Sequence, residues 1–336
     1  MTELPLQPIQ SQQKSSIVDI IKAPAFRAIA ALLLVIILGC IFNAENSFFS
    51  WGTHRDTYRA MSVQGILACG MTLVIITGGI DLAVGSILAV SAVSFAMGMF
   101  YFGLPAIVVV PACLLIGAAC GAISGTLIAK AKMQPFIATL AMMVFARGLA
   151  KYITDNLKVT MYSEKTKAES LPGIFDFLNS KLFNDNIAVV TLIFLFCVLV
   201  SFVMLRVLKQ GRYLYAIGGN EDASKLSGVP VAWMKVLAYT MSGLFCAIAG
   251  LCHAAEQEQG DPQAGESYEL SAIAMVVIGG TSLNGGKGGI FLTLIGVLTI
   301  AYVEKILSLN AVGPDKKLML TGLIIALAVL LQKNKK

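Results

Sequence analysis

Residues 205–235, LRVLKQGRYLYAIGGNEDASKLSGVPVAWMK, decide how the rest of the chain is read. They form a polar, basic island between two long apolar segments, 187–204 and 236–252. Arg206, Lys209, Arg212, Lys225 and Lys235 are set against two acids, Glu221 and Asp222. Lys and Arg gather on the cytoplasmic side of membrane spans, so the island predicts a cytoplasmic loop. Gly218, Gly219 and Asn220 suit a turn in which Asn220 caps a helix, with Glu221 and Asp222 in its positive first turn. A short helix over 221–227 would end on Gly228 as its left-handed residue, with Pro230 two positions on.

Composition sets the class. Of 336 residues, 57% are hydrophobic and 13% charged, well below the roughly 25% charged of soluble domains. Apolar runs of about 20 residues recur, and in lipid they must be helices. The expected fold is all-α and polytopic, with about ten transmembrane helices, broken glycine-rich segments and a short cytoplasmic helix. The net charge of +6 sits in short loops and tails, so it marks orientation and predicts no nucleic-acid partner. The seven cysteines lie in or at the ends of apolar runs without CxxC or Cys/His spacing, so no disulfide framework or metal site is expected. Residues 1–16 are too polar for a signal peptide and read as a cytoplasmic tail, with a short interfacial segment at 17–21.

Taken in order, 1–27 form the N-terminal tail, 28–332 the membrane domain with its loop at 206–235, and 333–336 a C-terminal tail. Spans are expected near 28–42, 61–77, 78–101, 106–129, 136–152, 187–205, 236–254, 271–278, 290–307 and 318–331, with both termini cytoplasmic. Residues 43–59 read as a loop anchored by Trp51 and Tyr58, and 153–186 as a long polar periplasmic loop. Gly117, Gly121 and Gly125 recur every fourth position and predict close helix contact, within the chain in preference to a dimer seam. The segment EQEQGDPQAGESYEL, 256–270, reads as an acidic loop.

The stretch GGIDLAVGS, 78–86, interrupts a hydrophobic run. Gly78, Gly79 and Gly85 weaken helix, and Asp81 is ionisable where ionisable groups face a cavity or a partner. Two readings of Asp81 stand: a tight cytoplasmic turn in which it is solvated or caps the next helix, or a polar wall of a pathway. A third glycine-rich stretch, GGTSLNGGKGG at 279–289, matches the first at four positions when offset by 201, which leaves an internal repeat open. Glu304 and Lys305 are adjacent on a helix and do not face each other.

Together these stretches resemble the ribose-type (monosaccharide) permeases of bacterial ABC importers. GMTLVIITGGIDLAVGS resembles that family's most recognisable motif, GRYLYAIGGNEDASKLSGV its coupling loop, and GGTSLNGGKGG its third motif. Two departures stand out: Ser271 where the family has Asp, and Glu304-Lys305 where it has Asn-Gly. The resemblance implies a substrate pathway lined by Gly78, Gly79, Asp81, Ser86, Gln134, Phe136, Thr139, Thr281, Ser282 and Asn284. It implies ATPase coupling through Gly218, Gly219, Asn220, Glu221, Asp222, Ala223, Leu226 and Gly228.

No GxxxxGKS or GxxxxGKT is present, so ATP chemistry belongs to another subunit, and this chain is expected to be neither an enzyme nor a cofactor binder. The implied partners are a cytoplasmic ABC ATPase, a periplasmic sugar-binding protein, the lipid bilayer and a second permease subunit, identical or paralogous. Sugar would pass by alternating access with few specific contacts. The competing readings are an ion- or proton-coupled carrier using Asp81 and Glu304, and a membrane scaffold without transport.

Overall fold

A computed structural model describes residues 24–313 except 169, together with 315–317, 319–320 and 322–324. The expected tails at 1–16 and 333–336, the segment at 17–21 and much of the expected span at 318–331 lie outside the described residues. Among the described residues there are twelve α-helices, α1 (Pro24–Ile41), α2 (Trp51–Ile76), α3 (Val84–Ala96), α4 (Ala106–Ala129), α5 (Pro135–Ile153), α6 (Gly173–Asn179) and α7 (Val189–Phe202) being the first seven. They continue with α8 (Lys209–Gly219), α9 (Glu221–Leu226), α10 (Val231–Gln257), α11 (Tyr268–Ile278) and α12 (Ile290–Leu309). Among the described residues, seven helices are long and apolar enough to cross a membrane, and α1 and α11 are shorter apolar helices.

The arrangement follows from which helices are apolar all round. α2 and α3 have 83% of their apolar windows buried inside the protein, whereas α4 and α5 have 28%. A helix apolar on every side is either surrounded by protein or by lipid. Here α2, α3 and α10 form the centre, α10 packing against α2, α3 and α4, while α4 and α5 keep an apolar face outward. Gly117, Gly121 and Gly125 all face α10: a Cβ on Gly125 would lie 2.8 Å from the Cα of Val236, and those on Gly117 and Gly121 would strike the carbonyls of Gly243 and Tyr239. The spacing of small residues therefore serves packing within the chain, as its sequence predicts.

Two expected loops are folded. Residues 43–59 hold a 3₁₀ turn, Ala44–Phe49, and then the first turns of α2, which starts at Trp51 because Ser50 Oγ accepts the Thr53 amide at 3.2 Å. A polar surface on those turns hid a helix that a serine cap begins. Residues 153–186 contain α6, whose Phe175 is fully buried and stacks on Phe95 and Phe100 with ring centroids at 4.7 and 4.8 Å. Two short antiparallel pairs complete this end: β1 (Val159–Thr160) with β4 (Gln259–Gly260), and β2 (Lys181–Leu182) with β3 (Ile187–Ala188).

Candidate functional site

Three helices end alike, and each ending belongs to one of the three glycine-rich motifs. α2 closes with Gly78 amide on Ile75 carbonyl and Gly79 amide on Val74 carbonyl, at 2.9 and 3.2 Å. α9 closes with Gly228 on Lys225 and Val229 on Ser224, both at 3.1 Å, and α11 with Gly280 on Val277 and Thr281 on Val276, at 2.9 and 3.2 Å. This is the Schellman pattern, which needs a left-handed residue; Gly78, Gly228 and Gly280 have φ of 80°, 81° and 103°. Gly280 holds the place that Gly78 holds in the first motif, so the pairing of Gly78 with Gly279 suggested by sequence is one residue out of register.

The three motifs also meet in space. The Gly286 amide donates to the Ile76 carbonyl at 2.9 Å. A Cβ on Gly285 would lie 2.8 Å from the Gly78 nitrogen and 2.9 Å from the Gly218 Cα, and one on Gly286 would lie 2.9 Å from the Gly219 nitrogen. Tyr215 of α8 donates to the Gly288 carbonyl at 3.0 Å. Bare backbone from the end of α2, the end of α8 and the loop after α11 is therefore in mutual contact. Within that loop, Thr281 is buried and its Oγ1 accepts the Gly289 amide at 3.3 Å; Ser282 Oγ accepts the Asn284 amide at 3.3 Å, and Asn284 is exposed.

Directly beyond Gly219 stands α9. Asn220 Oδ1 accepts the Ala223 amide at 2.9 Å, as the capping pattern predicts. Glu221 is tied back to α10 by Lys235, Nζ to Oε2 at 2.6 Å. Asp222 and Ala223 are exposed and Leu226 is 90% exposed, an apolar side chain presented outward on a capped helix.

Asp81 is 1% exposed, so it is not solvated. Its Oδ1 accepts the Ala83 amide at 3.0 Å and its Oδ2 accepts the Ser242 hydroxyl at 2.8 Å. The first bond is an Asx turn leading into α3, whose N-cap position is Ala83. The second pins the break between α2 and α3 to the middle of α10. Sequence reasoning missed Ser242, a lone serine in an apolar helix far from Asp81 in the chain. Thr139 is buried, with its hydroxyl 2.9 Å from the Pro135 carbonyl and 3.3 Å from that of Ile80. Gln134, the N-cap of α5, and Phe136, in its first turn, are both exposed. Gly79 faces Tyr239, Gly78 is exposed beside Asn284, and Ser86 is buried at the start of α3.

A cleft of about 520 Å³ opens between α5 and the segment before α11, lined by Ser86, Val144, Arg147, Lys151, Glu266 and Glu269 among others. Arg147 Nη1 donates to the carbonyls of Pro262 and Ala264, both at 2.7 Å. Lys158 pairs with Asp261 at 3.0 Å beside the β1–β4 pair. The acidic stretch 256–270 is therefore folded against the bundle rather than spread in solvent. A signal was available, since an arginine within an apolar helix marks a polar route or partner. Glu304 and Lys305 line a second cleft of about 270 Å³ with Asp56 and Gln64, and among the described residues they form no ion pair with each other.

Across residues 56–329 the sequence matches the family described as the permease component of the branched-chain amino acid transport system. The chain belongs to this permease family. The permease is 37% identical over 304 residues to the ribose import permease protein RbsC of Escherichia coli (strain K12), covering 90% of this chain and 92% of that protein. It is 39% identical over 305 residues to the ribose import permease protein RbsC of Haemophilus influenzae, covering 90% and 91%. It is 34% identical over 338 residues to the fructose import permease protein FruG of Bifidobacterium longum, covering 99% and 97%. No solved structure matches the permease. The resemblance carried by the three motifs is thus shown, and the permease is a multi-pass membrane transport subunit rather than an enzyme.

Proposed function

We propose that this permease is the membrane-spanning subunit of an ATP-driven ABC importer for a monosaccharide, a pentose, hexose or related small sugar. A periplasmic binding protein delivers the sugar, a separate cytoplasmic ATPase hydrolyses ATP, and a second permease subunit, identical or paralogous, completes the pathway. The basic end carrying α9 lies on the cytoplasmic side of a bacterial inner membrane, as do both termini. The relatives named for ribose and fructose import support the cargo class.

One observation supports the mechanism: the contact of Gly218 and Gly219 with Gly78, Gly285 and Gly286. A force applied to α9 reaches, through bare backbone, both the break between α2 and α3 and the break between α11 and α12. Packed elements of this kind shift as units between discrete arrangements. ATP-driven movement of the ATPase would draw on Leu226 and its neighbours, tilt α8, and move the two breaks together, opening the bundle to one side at a time.

The test is uptake of radiolabelled ribose, fructose and arabinose by vesicles holding the permease, its ATPase and its binding protein. ATP-dependent accumulation that survives collapse of the proton gradient is expected. Accumulation that follows the gradient and ignores ATP would establish a coupled carrier instead.

A further inference from the structure

The cleft beside Ser86 holds more chemistry than a passive corridor requires. Ser86 is 2% exposed and lines the cleft. Its hydroxyl is placed to pair with a polar group that enters the cleft. Glu269 stands beside it: a Cβ on Gly85 would lie 3.0 Å from Glu269 Oε2, which places that carboxylate against the residue before Ser86.

Charge decides what fits. The lining carries Arg147 and Lys151 on α5, and Glu266 and Glu269 facing them, so the cleft is mixed in sign. Neither glutamate forms an ion pair among the described residues. Arg147 has given Nη1 to the carbonyls of Pro262 and Ala264, which leaves its remaining N–H groups as donors. An anion would meet the carboxylates, and a cation would meet Arg147 and Lys151. A neutral molecule rich in hydroxyls satisfies both, donating to the carboxylates and Ser86 and accepting from the guanidinium and ammonium. Met143 and Val144 supply an apolar wall for its C–H face. The volume of about 520 Å³ suits a small-molecule site.

We propose that this cleft is a sugar-binding site within the permease, with Ser86 and Glu269 at its floor and Arg147 on its wall. The membrane subunit then selects its cargo, where the sequence predicts few specific contacts. This assignment rests on the importer reading above.

The test uses the full-length permease assembled with its ATPase and binding protein in vesicles, in a Cys40→Ser background, since Cys40 is the exposed cysteine. Ser86→Cys should react with a water-soluble methanethiosulfonate. A sugar that the wild type imports, present at about ten times its half-protecting concentration, should slow that reaction about tenfold. Sodium chloride at equal osmolarity should not. Glu269→Gln, combined with Ser86→Cys, should raise the half-protecting concentration about tenfold through loss of charge-assisted hydrogen bonds. Val144→Cys, on the opposite wall, reads the same site if Ser86→Cys fails to assemble with the ATPase. An inert cysteine at both positions, or labelling that the imported sugar does not slow, overturns the site while ATP-driven uptake by the wild type leaves the importer reading intact. Protection by ribose in vesicles whose wild type shows no ATP-driven uptake would keep the site and remove the importer.

Discussion

The Gly286 amide is bound to the Ile76 carbonyl at 2.9 Å, which ties the loop after α11 to the last turn of α2. Gly286 has φ of 69°, and a Cβ there would lie 2.9 Å from the Gly219 nitrogen. Gly286→Ala therefore meets a left-handed penalty of about 1–2 kcal/mol and a backbone clash. The variant should insert and bind the ATPase, while uptake per ATP hydrolysed falls severalfold. Equal uptake stoichiometry in Gly286→Ala and wild-type vesicles would detach this contact from coupling.

Docking is expected to depend on the outward side of α9. Replacing Glu221 with Arg and Leu226 with Asp removes the tie to Lys235 and puts charge where an apolar side chain is 90% exposed. The doubly substituted permease should lose co-purification with the ATPase while remaining in the membrane fraction. The cap can be probed separately, since Asn220→Ala should cost α9 about 1 kcal/mol. Its effect should be a partial loss of ATPase stimulation; normal stimulation by both variants would move the docking site elsewhere.

Asp81 separates the two transport classes. A proton-coupled carrier needs its carboxylate to change charge, so Asp81→Asn would stop uptake. In an importer whose Asp81 holds the Ala83 amide and the Ser242 hydroxyl, Asn can replace those bonds and Leu cannot. Asp81→Leu leaves two buried donors unpaired at about 1–3 kcal/mol each. Near-normal ATP-driven uptake in Asp81→Asn, with poor folding of Asp81→Leu, is the expected pair of results.

Packing of α4 on α10 should fail under one substitution. Gly121→Leu drives a side chain into the Tyr239 carbonyl, and overpacking of this kind costs about 1–3 kcal/mol or more. Thermal melting of the detergent-purified permease should show a fall of several degrees, about 2–4 °C per kcal/mol for a chain of this order of size. An unchanged melting temperature would mean the two helices can separate without loss.

Much of the architecture is written locally. Length and apolarity place α4 at Ala106–Ala129 in agreement with the sequence reading, because a membrane span leaves its own composition behind. The capped helix at Glu221–Leu226 is equally legible, since Asn220, Gly228 and Pro230 act within a few residues of it. Polar helical turns were not: His54, Arg55 and Asp56 sit on α2, and hydropathy alone ends the span before them.

The sequence by itself determined a helical membrane permease, its three glycine motifs and its basic loop, because lipid compels helices and left-handed turns compel glycine. Only the tertiary structure decided what those motifs are for. It brought Gly78, Gly218 and Gly286 onto one another, gave Asp81 the hydroxyl of Ser242, and set Arg147 opposite Glu266 and Glu269. Those pairings join residues far apart in the chain. No local pattern encodes them, since each depends on how close two backbones come once α2, α3 and α10 have packed.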